Sequence, residues 1–261
     1  MWIAGAALVA LAVAAFYFMR HTKSELHTMI GTETLSIPEL ERFRGVSDEL
    51  GAKGTFRKVA EVVGTAHPRP QGALKAELSK TECVWYRFEV ERQYETVEYR
   101  DGKRRRTRRT EKVAGHTSQH GYAVIDDQRR TIGVDPNGTS PDRPEQTMDR
   151  FEPHRGGSGS MELFGISLPS VFGGGNSTTI GYRYKEWVIR PGRRLYVLGE
   201  VHDRIGPLVI GKPQEGGHFL ISTRTEGELR ADREKRHKLL AAGVIGGTLL
   251  GVVLIVAGIV S

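Results

Sequence analysis

The feature of this sequence that most constrains its fold is the position of its charged residues. All 38 Lys and Arg residues and all 31 Asp and Glu residues lie between Arg20 and Lys238. Residues 1–19 and 239–261 have no charged side chain and are mostly apolar. A stretch of roughly 20 apolar residues is long enough for a helix to cross the hydrocarbon core of a bilayer. The sequence therefore predicts a transmembrane helix at 1–19, another at 239–261, and a polar domain between them.

A cleaved signal peptide is the alternative for the first segment. Signal peptides carry basic residues before their apolar stretch, whereas Arg20 and Lys23 follow it here. A retained anchor is the better interpretation. Basic residues also precede the second segment, in the connector 230–238. Because Lys and Arg beside a span stay cytoplasmic, we expect a multi-pass protein of the cell membrane with two spans, a cytoplasmic central domain and both termini outside.

The single cysteine, Cys83, agrees with a cytoplasmic domain. One cysteine cannot form a disulfide within the chain, and free thiols are typical of reducing compartments. The composition is rich in Arg and Gly, which favours a bacterial plasma membrane.

The polar part of the chain divides where its residue pattern changes. Residues 20–50 are predicted to form a juxtamembrane helical connector, because Ser36 and Pro38 are typical of the start of a helix. From 51 to 229 apolar and polar residues alternate in short runs, which predicts a β-rich cytoplasmic domain. The basic connector 230–238 then leads to the second span.

The clearest strand pattern lies at 83–99 (CVWYRFEVERQYETVEY). Positions 84, 86, 88 and 90 fall on one face of such a strand, and 85, 87, 89 and 91 on the other. We expect the strand around Trp85, Tyr86 and Phe88 to form the core of the domain. Further strands are predicted at 56–64, 121–126, 131–134, 184–189, 194–202 and 218–223, separated by turn signals such as DPNG and RPGR. The predicted fold is mainly β (α+β overall), a small antiparallel β sandwich or partial barrel flanked by two transmembrane helices and a short juxtamembrane helix.

The segment 150–179 is predicted to be a Gly/Ser-rich loop, in which several apolar side chains are tucked in. Its GGGNST stretch at 173–178 invites comparison with a phosphate-binding loop. It lacks the lysine and the strand-to-helix setting that such a loop requires. We therefore expect no nucleotide and no other cofactor.

A run of basic residues, YRDGKRRRTRRTEKV at 99–113, is the most distinctive local feature. Its Asp-Gly pair at 101–102 favours a two-residue hairpin turn. That turn sets Glu98 opposite Arg105, Glu95 opposite Arg108 and Tyr99 opposite Arg104, and opposite charges facing each other stabilise a solvated hairpin.

Basic side chains that do not lie opposite an acidic residue in this pairing are candidates for binding a ligand at the end of a projecting hairpin. Acidic lipid headgroups or an acidic protein partner are the expected ligands, and nucleic acid is the least favoured, because the membrane nearby is itself anionic. The candidate contact residues are Lys103, Arg104, Arg105, Arg106, Arg108 and Arg109.

Catalytic and metal motifs are weak in this sequence. His116 and His120 have a helical metal spacing but lie in GHTSQHG, which is typical of a loop or strand edge. The pair Asp126-Asp127 lies between two short predicted strands, where adjacent acids usually form a turn. The sequence therefore predicts no catalytic residue and no metal site.

The predicted spans carry small residues at regular spacing. Gly243, Gly247 and Gly251 recur every four residues on one helix face, where small side chains let another helix approach closely. Alanines at 6, 10 and 14 have the same spacing in the first span. We expect the spans to pack against each other or against copies in a homo-oligomer.

An amino-terminal span, a β-rich domain beside the membrane and a second span together resemble the GIDE (or BAM, "beside a membrane") family. The likeness rests on AEVVG at 60–64, GALKAELSKTECVWYRFEVER at 72–92, AVIDDQRRTIGVDPNG at 123–138, YRYKEWVIRPGRRLYVLGEV at 182–201 and PLVIGKPQEGGHFLIST at 207–223. Eukaryotic members of this family include a mitochondrial outer-membrane ubiquitin ligase. The resemblance implies a role in protein ubiquitination.

The residues needed for that catalysis are not in this sequence. In the eukaryotic ligases a zinc-binding RING follows the second span, and a RING needs several Cys and His ligands because each zinc ion takes four N or S donors. This sequence has one cysteine. We therefore expect a membrane-anchored docking or scaffold protein without intrinsic catalysis, with a cytoplasmic protein partner. The alternative is one component of a RING-type ubiquitin ligase whose catalytic subunit is another polypeptide.

Overall fold

The computed structural model describes residues 2–100, 103–154, 161–163, 166–168 and 177–260. The helices are α1 (Trp2–Gly31), α2 (Ile37–Glu49) and α3 (Glu226–Val260). The strands are β1 (Arg57–His67), β2 (Leu74–Lys75), β3 (Glu82–Cys83), β4 (Trp85–Arg100), β5 (Lys103–Thr117), β6 (Tyr122–Ile125), β7 (Thr131–Val134), β8 (Glu145–Pro153), β9 (Met161–Leu163), β10 (Ile166–Leu168), β11 (Ser177–Ile189), β12 (Arg194–His202), β13 (Val209–Gly211) and β14 (Leu220–Ser222).

The centre of the molecule is a closed β-barrel. Its strands pair in the ring β1-β6-β7-β13-β12 and back to β1, and β14 adds to the free edge of β12. All of these pairs are antiparallel except β13 with β7. A five-stranded Greek-key ring of this kind has the architecture of an OB barrel, which by itself fixes no function. Closure leaves few open strand edges, which are otherwise prone to pair with other chains.

The barrel core is apolar because the inward positions of each strand are aliphatic or aromatic. Ala60 and Val62 on β1, Val124 on β6 and Val197 on β12 are all fully or nearly fully buried in it. Trp85 of β4 also reaches this core and is completely buried. The barrel is therefore packed with side chains and is not a channel.

A second, four-stranded sheet, here called the arm, has the order β5-β4-β11-β8. Its strands come from two insertions in the barrel: β4 and β5 lie between β1 and β6, and β8 and β11 lie between β7 and β12. Val84, Trp85 and Ile189 belong to the barrel core cluster, so they join the root of the arm to the barrel.

The helices α2 and α3 contact the barrel. Ser36 and Glu39 form a capping box at the start of α2, whose Ile37 and Leu40 are buried in the barrel core. The long helices α1 and α3 run antiparallel and contact each other: Gly5 lies beside Gly251, and further along Ala12 lies beside Gly247. Both are long and apolar enough to cross a bilayer, by length and composition, over Ile3–Ser24 and Glu226–Gly258.

The mainly β fold with two flanking apolar helices and a juxtamembrane helix is the predicted one. The barrel, however, is closed, because the short strand β13 pairs in parallel with β7 across a long sequence separation. The predicted loop 150–179 needs correction: its first residues extend β8, its last begin β11, and β9 pairs with β10 inside it. The GGGNST stretch lies mostly outside the described residues. The charged connectors 20–31 and 230–238 are helical and continuous with α1 and α3.

Candidate functional site

The root of the arm is held by a buried carboxylate. Glu186 has no exposed surface, and its side chain accepts backbone N–H bonds from Leu78 at 2.6 Å and Ser79 at 3.0 Å. It also accepts the hydroxyl of Thr147 at 3.1 Å. These bonds tie the 78–79 turn and β8 to the centre of the arm.

One face of the arm is apolar near this root. Phe88 and Val90 of β4 pack with Tyr182 and Tyr184 of β11, and Leu78 covers them. The arm thus has a small apolar core of its own, in addition to the contacts that join its root to the barrel core.

The opposite face carries a ladder of paired charges across the strands. Lys185 bonds to Glu91 at 2.6 Å, and Lys112 bonds to Glu89 at 2.9 Å. Arg183 makes two bonds to Asp149, at 2.6 and 2.8 Å. The hydrogen bonds and nearby cations at Glu89 outweigh its desolvation and lower its pKa. Because each of these charges has a partner on the next strand, this face is satisfied within the arm.

A buried arginine continues the apolar face toward the outer part of the arm. Arg92 is 3% exposed and donates to Thr179 Oγ1 at 2.8 Å and to Glu111 at 2.8 Å. Its guanidinium carbon lies 4.5 Å from the ring centre of Tyr94. A buried cation is tolerated here because it is paired, hydrogen-bonded and stacked on an aromatic ring.

The predicted basic hairpin has the expected register. Glu98 lies opposite Arg105, Glu95 opposite Arg108, and Tyr99 opposite Arg104. A bulge between Val90 and Glu91 shifts the pairing nearer the root. The turn at 101–102 and the side chain of Lys103 lie outside what the structure describes.

The basic residues of this hairpin lie on β5, the outer strand of the arm, and we call Arg104, Arg105, Arg106, Arg108 and Arg109 the basic edge. All of them are exposed. Glu95 lies 3.9 Å from both Arg106 and Arg108, whose side chains are 65% and 66% exposed. Ion pairs this exposed contribute about 0–1 kcal/mol each. Pairs this weak leave the guanidinium groups of Arg106 and Arg108 largely open to solvent and to a partner.

Charged side chains on an edge strand also have a structural role. They discourage the open edge from pairing with the edge of another sheet. This role explains why β5 is polar, but it does not require one sign of charge.

The predicted helix-packing glycines do not behave alike. A Cβ on Gly251 would lie 2.9 Å from Val9 Cγ2 and 3.1 Å from the Gly5 carbonyl oxygen, so this position is closely packed against α1. Gly247 lies 3.5 Å from Ala12 by the same measure, whereas Gly243 faces open space. The alanines at 6, 10 and 14 are exposed, and Gly5 and Ala12 form the contacting face of α1 instead.

Cys83 is fully buried beside Ala76 and Val188. Burial, with a smaller contribution from the Glu186 charge, raises the pKa of its thiol to about 12. A thiol of this kind is protonated and inaccessible, so it is unsuited to carry a thioester.

The weaker chemical candidates have structural roles. The ring of His116 lies 5.9 Å from that of Tyr86. Asp126 accepts the backbone N–H groups of Gln128 and Arg130, each at 2.9 Å, and so forms the expected turn. Across the described ranges, no three His, Cys, Asp or Glu side chains are grouped closely enough to hold a metal ion.

A second buried carboxylate lies where the helices join the barrel. Glu61 of β1 has no exposed surface and accepts the hydroxyls of Tyr196 and, at 3.0 Å, Thr34. Burial raises the pKa of Glu61, although both hydroxyl bonds oppose that shift. Glu61 thereby links the α1–α2 connection to β12.

Sequence reasoning missed the buried charges Glu61, Arg92 and Glu186. A signal for two of them was present. Arg92 continues the even-numbered apolar series of β4, and Glu186 continues that of Tyr182, Tyr184 and Val188 on β11. A charged residue at a strand position where the alternation places buried apolar side chains indicates a buried, paired group.

Comparison with known proteins gives one match. A family model described as "GIDE: E3 Ubiquitin ligase" matches residues 91–257, from within β4 through the other strands of the arm and all barrel strands except β1, into α3. No curated protein and no solved structure matches the chain. The match covers more than half of the 261 residues, and we conclude that the chain belongs to the GIDE family.

Proposed function

We propose that this chain is a membrane-anchored docking protein with a role related to ubiquitination. In this proposal α1 and α3 anchor the domain, and the basic edge of the arm binds an acidic surface on a partner protein. Any catalytic step of ubiquitin transfer is carried out by another polypeptide. The family description supports the link to ubiquitination.

The observation that carries the docking proposal is the row of exposed arginines on β5. Glu95 is shared by Arg106 and Arg108 at 3.9 Å, and the other arginines of the edge extend from both faces of the strand. An exposed guanidinium can pair with a carboxylate in a bidentate manner. Such a row recognises an acidic segment through charge and geometry, without a pocket.

The chemistry of Cys83 supports a docking role over intrinsic ligase activity. The one cysteine of these 261 residues is buried and protonated, so it cannot accept ubiquitin as a thioester. One cysteine also cannot supply the ligands of a RING.

The membrane arrangement is part of the same proposal. Basic residues adjoin both apolar segments on the side of the central domain, so the domain would be cytoplasmic and both termini outside. To test this, Thr110→Cys in a Cys83→Ala background provides a single cysteine, which is treated with a membrane-impermeant maleimide. We expect labelling only after the cells are permeabilised, and labelling of intact cells would reverse the topology.

The docking proposal is tested by photo-crosslinking in native membranes. A photoreactive amino acid replaces Thr110, which adjoins the basic edge on β5, or Phe151 on the opposite edge strand β8 as the matched control site. We expect a specific adduct from position 110 alone. Adducts with the same partner from both positions, or from neither, would contradict docking at the basic edge.

Charge variants identify the interaction. Arg104, Arg105 and Arg106 are changed together to Gln, and the control carries the same loss of charge at exposed sites elsewhere (Lys75→Gln, Arg129→Gln and Lys212→Gln). We expect the arm variant alone to lose the partner at unchanged thermal stability. If anionic lipid is retained by the wild type and lost by the arm variant while no protein is crosslinked, the edge binds lipid and the proposal is wrong.

The ligase alternative makes a different prediction about the partner. It requires the crosslinked protein to be a RING protein or an enzyme that carries ubiquitin or a similar modifier. The purified chain with that partner would then modify a substrate, and neither protein would do so alone.

A further inference from the structure

We propose that one end of the barrel rests on the membrane and inserts apolar side chains between the lipid headgroups. The residues are Phe43 and Val46 of α2, Leu50 directly after that helix, and Ile205 of the β12–β13 turn, which we call the interfacial patch. This inference rests on the proposed anchoring by α1 and α3.

The interfacial patch is apolar and open. Phe43 and Val46 are three residues apart and so share one face of α2, and Leu50 caps the helix four residues after Val46. This face lies away from Ile37 and Leu40, which are buried in the barrel. Leu50 is 80% exposed and Ile205 is 72% exposed, and a cluster of exposed apolar side chains commonly marks an interaction surface.

The parts of the patch lie at the same end of the barrel. Arg44 on α2 donates to the carbonyl oxygen of Gly206 at 3.2 Å. The carboxylate of Asp203 accepts the backbone N–H groups of Gly54 at 3.2 Å and Phe56 at 3.1 Å. The C-terminal half of α2 is therefore fixed to the β12–β13 turn that carries Ile205.

The contacts of the long helices show which way this end points. The first turns of α3 lie beside the middle of β12, since Leu229 packs on Tyr196 and Leu198. Ser24 of α1 lies 3.0 Å from His218, and His218 precedes Leu220, which pairs with Leu198. Contacts therefore progress along β12 from Tyr196 toward Glu200 as both long helices approach their apolar segments.

The level of Ile205 follows from the helix register. Gly5 faces Gly251 and Ala12 faces Gly247, so Ser24 is opposite residue 234 or a near neighbour. The uncharged segment begins at Leu239, about 7 Å further along α3 at 1.5 Å per residue. Because Leu220 pairs with Leu198, His218 is about level with Glu200 of β12. From there β12 continues two residues to its end at His202, roughly 7 Å at 3.3 Å per residue. The turn with Ile205 therefore reaches the level at which the apolar span begins.

The charge around the patch suits an anionic membrane surface. Lys53, Arg57 and Arg204 are exposed at this end of the barrel. Neither Lys53 nor Arg57 forms an ion pair with another residue that the structure describes. Glu200 lies 3.3 Å from Arg204 and offsets its charge, and the exposed Glu49 at the end of α2 adds one negative charge. Apolar side chains with basic neighbours are typical of surfaces that lie in the headgroup region.

The test measures the depth of single sites in the full-length chain, reconstituted in vesicles of phosphatidylcholine and phosphatidylglycerol. In a Cys83→Ala background, an environment-sensitive fluorophore is attached at Leu50→Cys or Ile205→Cys. His67→Cys, at the opposite end of β1, is the matched control, and Leu250→Cys within α3 reports the anchoring. Quenching by lipids with a spin label near the headgroup is then compared with quenching by lipids labelled deeper in the acyl chain.

Headgroup-labelled lipid is expected to reduce the emission at positions 50 and 205 about twofold or more, with little effect at 67. If position 250 is quenched by the deeper label but positions 50 and 205 behave like position 67, the inference is wrong and the anchoring is right. If position 250 is not quenched either, the anchoring fails and the inference fails with it.

A second variant excludes attraction of the fluorophore itself to lipid. With the label at Val46→Cys, the changes Leu50→Glu and Ile205→Glu together are expected to reduce the quenching at least about twofold, because carboxylates resist insertion. Unchanged quenching in that variant would contradict insertion by these side chains. A blue-shifted label at position 46 without quenching by either lipid would mean that protein covers the patch, which also contradicts the inference.

Discussion

Glu186→Gln is expected to destabilise the domain strongly, although it changes only one atom of the side chain. The carboxylate accepts the N–H groups of Leu78 at 2.6 Å and Ser79 at 3.0 Å, and the hydroxyl of Thr147 at 3.1 Å. A glutamine has one acceptor oxygen, and its NH₂ group would face an N–H donor at a position with no exposed surface. Loss of one bond to a charged group, with a buried donor left unpaired, costs about 2–4 kcal/mol.

The measurement is urea unfolding of the full chain in mild detergent, followed by tryptophan fluorescence. Trp187 adjoins Glu186 in the chain, and Trp85 pairs with Ile189 two residues further on, so the signal reports the root of the arm. With a slope of about 2 kcal/mol per molar urea, the midpoint should fall by about 1–2 M.

The matched control for this substitution is Glu145→Gln. Glu145 is also in the arm and bonds to Arg190 at 2.9–3.1 Å, but its side chain is 51% exposed. Its loss should cost at most about 1 kcal/mol. If the two variants lower the midpoint equally, burial does not increase the contribution of the Glu186 hydrogen bonds to the free energy of unfolding, and the reasoning is refuted.

Three further changes test the helices, the thiol and the buried acid at the helix–barrel junction. Gly251→Leu should lower the melting temperature in detergent, because its Cβ would lie 2.9 Å from an α1 side chain. Gly243 faces open space, so Gly243→Leu should leave the melting temperature unchanged. Equal effects of the two substitutions would contradict the observed packing. Cys83 should resist maleimide near neutral pH until the chain unfolds, because its thiol is buried with a pKa raised to about 12; rapid labelling of the native protein would contradict this. Burial raises the pKa of Glu61 above its ordinary value of 4.5. Between these two pKa values the folded chain keeps a proton that the unfolded chain has released. The contribution of Glu61 to stability therefore falls as pH rises from the ordinary pKa through the raised one. Unfolding midpoints from about pH 4 to about pH 7 should therefore decline less in Glu61→Gln than in the wild type, and parallel declines would rule out Glu61 as the source.

The sequence by itself determined the features that depend on neighbouring residues. Charge-free segments at 1–19 and 239–261 predict the two apolar helices, since helix length and hydropathy are local properties. The Asp-Gly pair predicts the register of the β4–β5 hairpin, because a two-residue turn fixes which residues face each other. Alternation at 83–99 predicts the burial of Phe88 and Val90.

Only the tertiary structure decided what depends on distant residues. The strand β13 has three residues, and its pairing with β7 closes the barrel across a long stretch of chain that no local pattern describes. The edge strand β8 is mostly exposed, so it lacks the apolar periodicity by which strands are recognised. Which glycines of α3 contact α1 depends on the rotation of two helices about their axes, and a spacing of four residues does not set that rotation. The burial of Glu186 and the exposure of Leu50 are the opposite of what their hydropathy predicts. The groups that bind Glu186 come from distant segments of the chain, which a local pattern does not include.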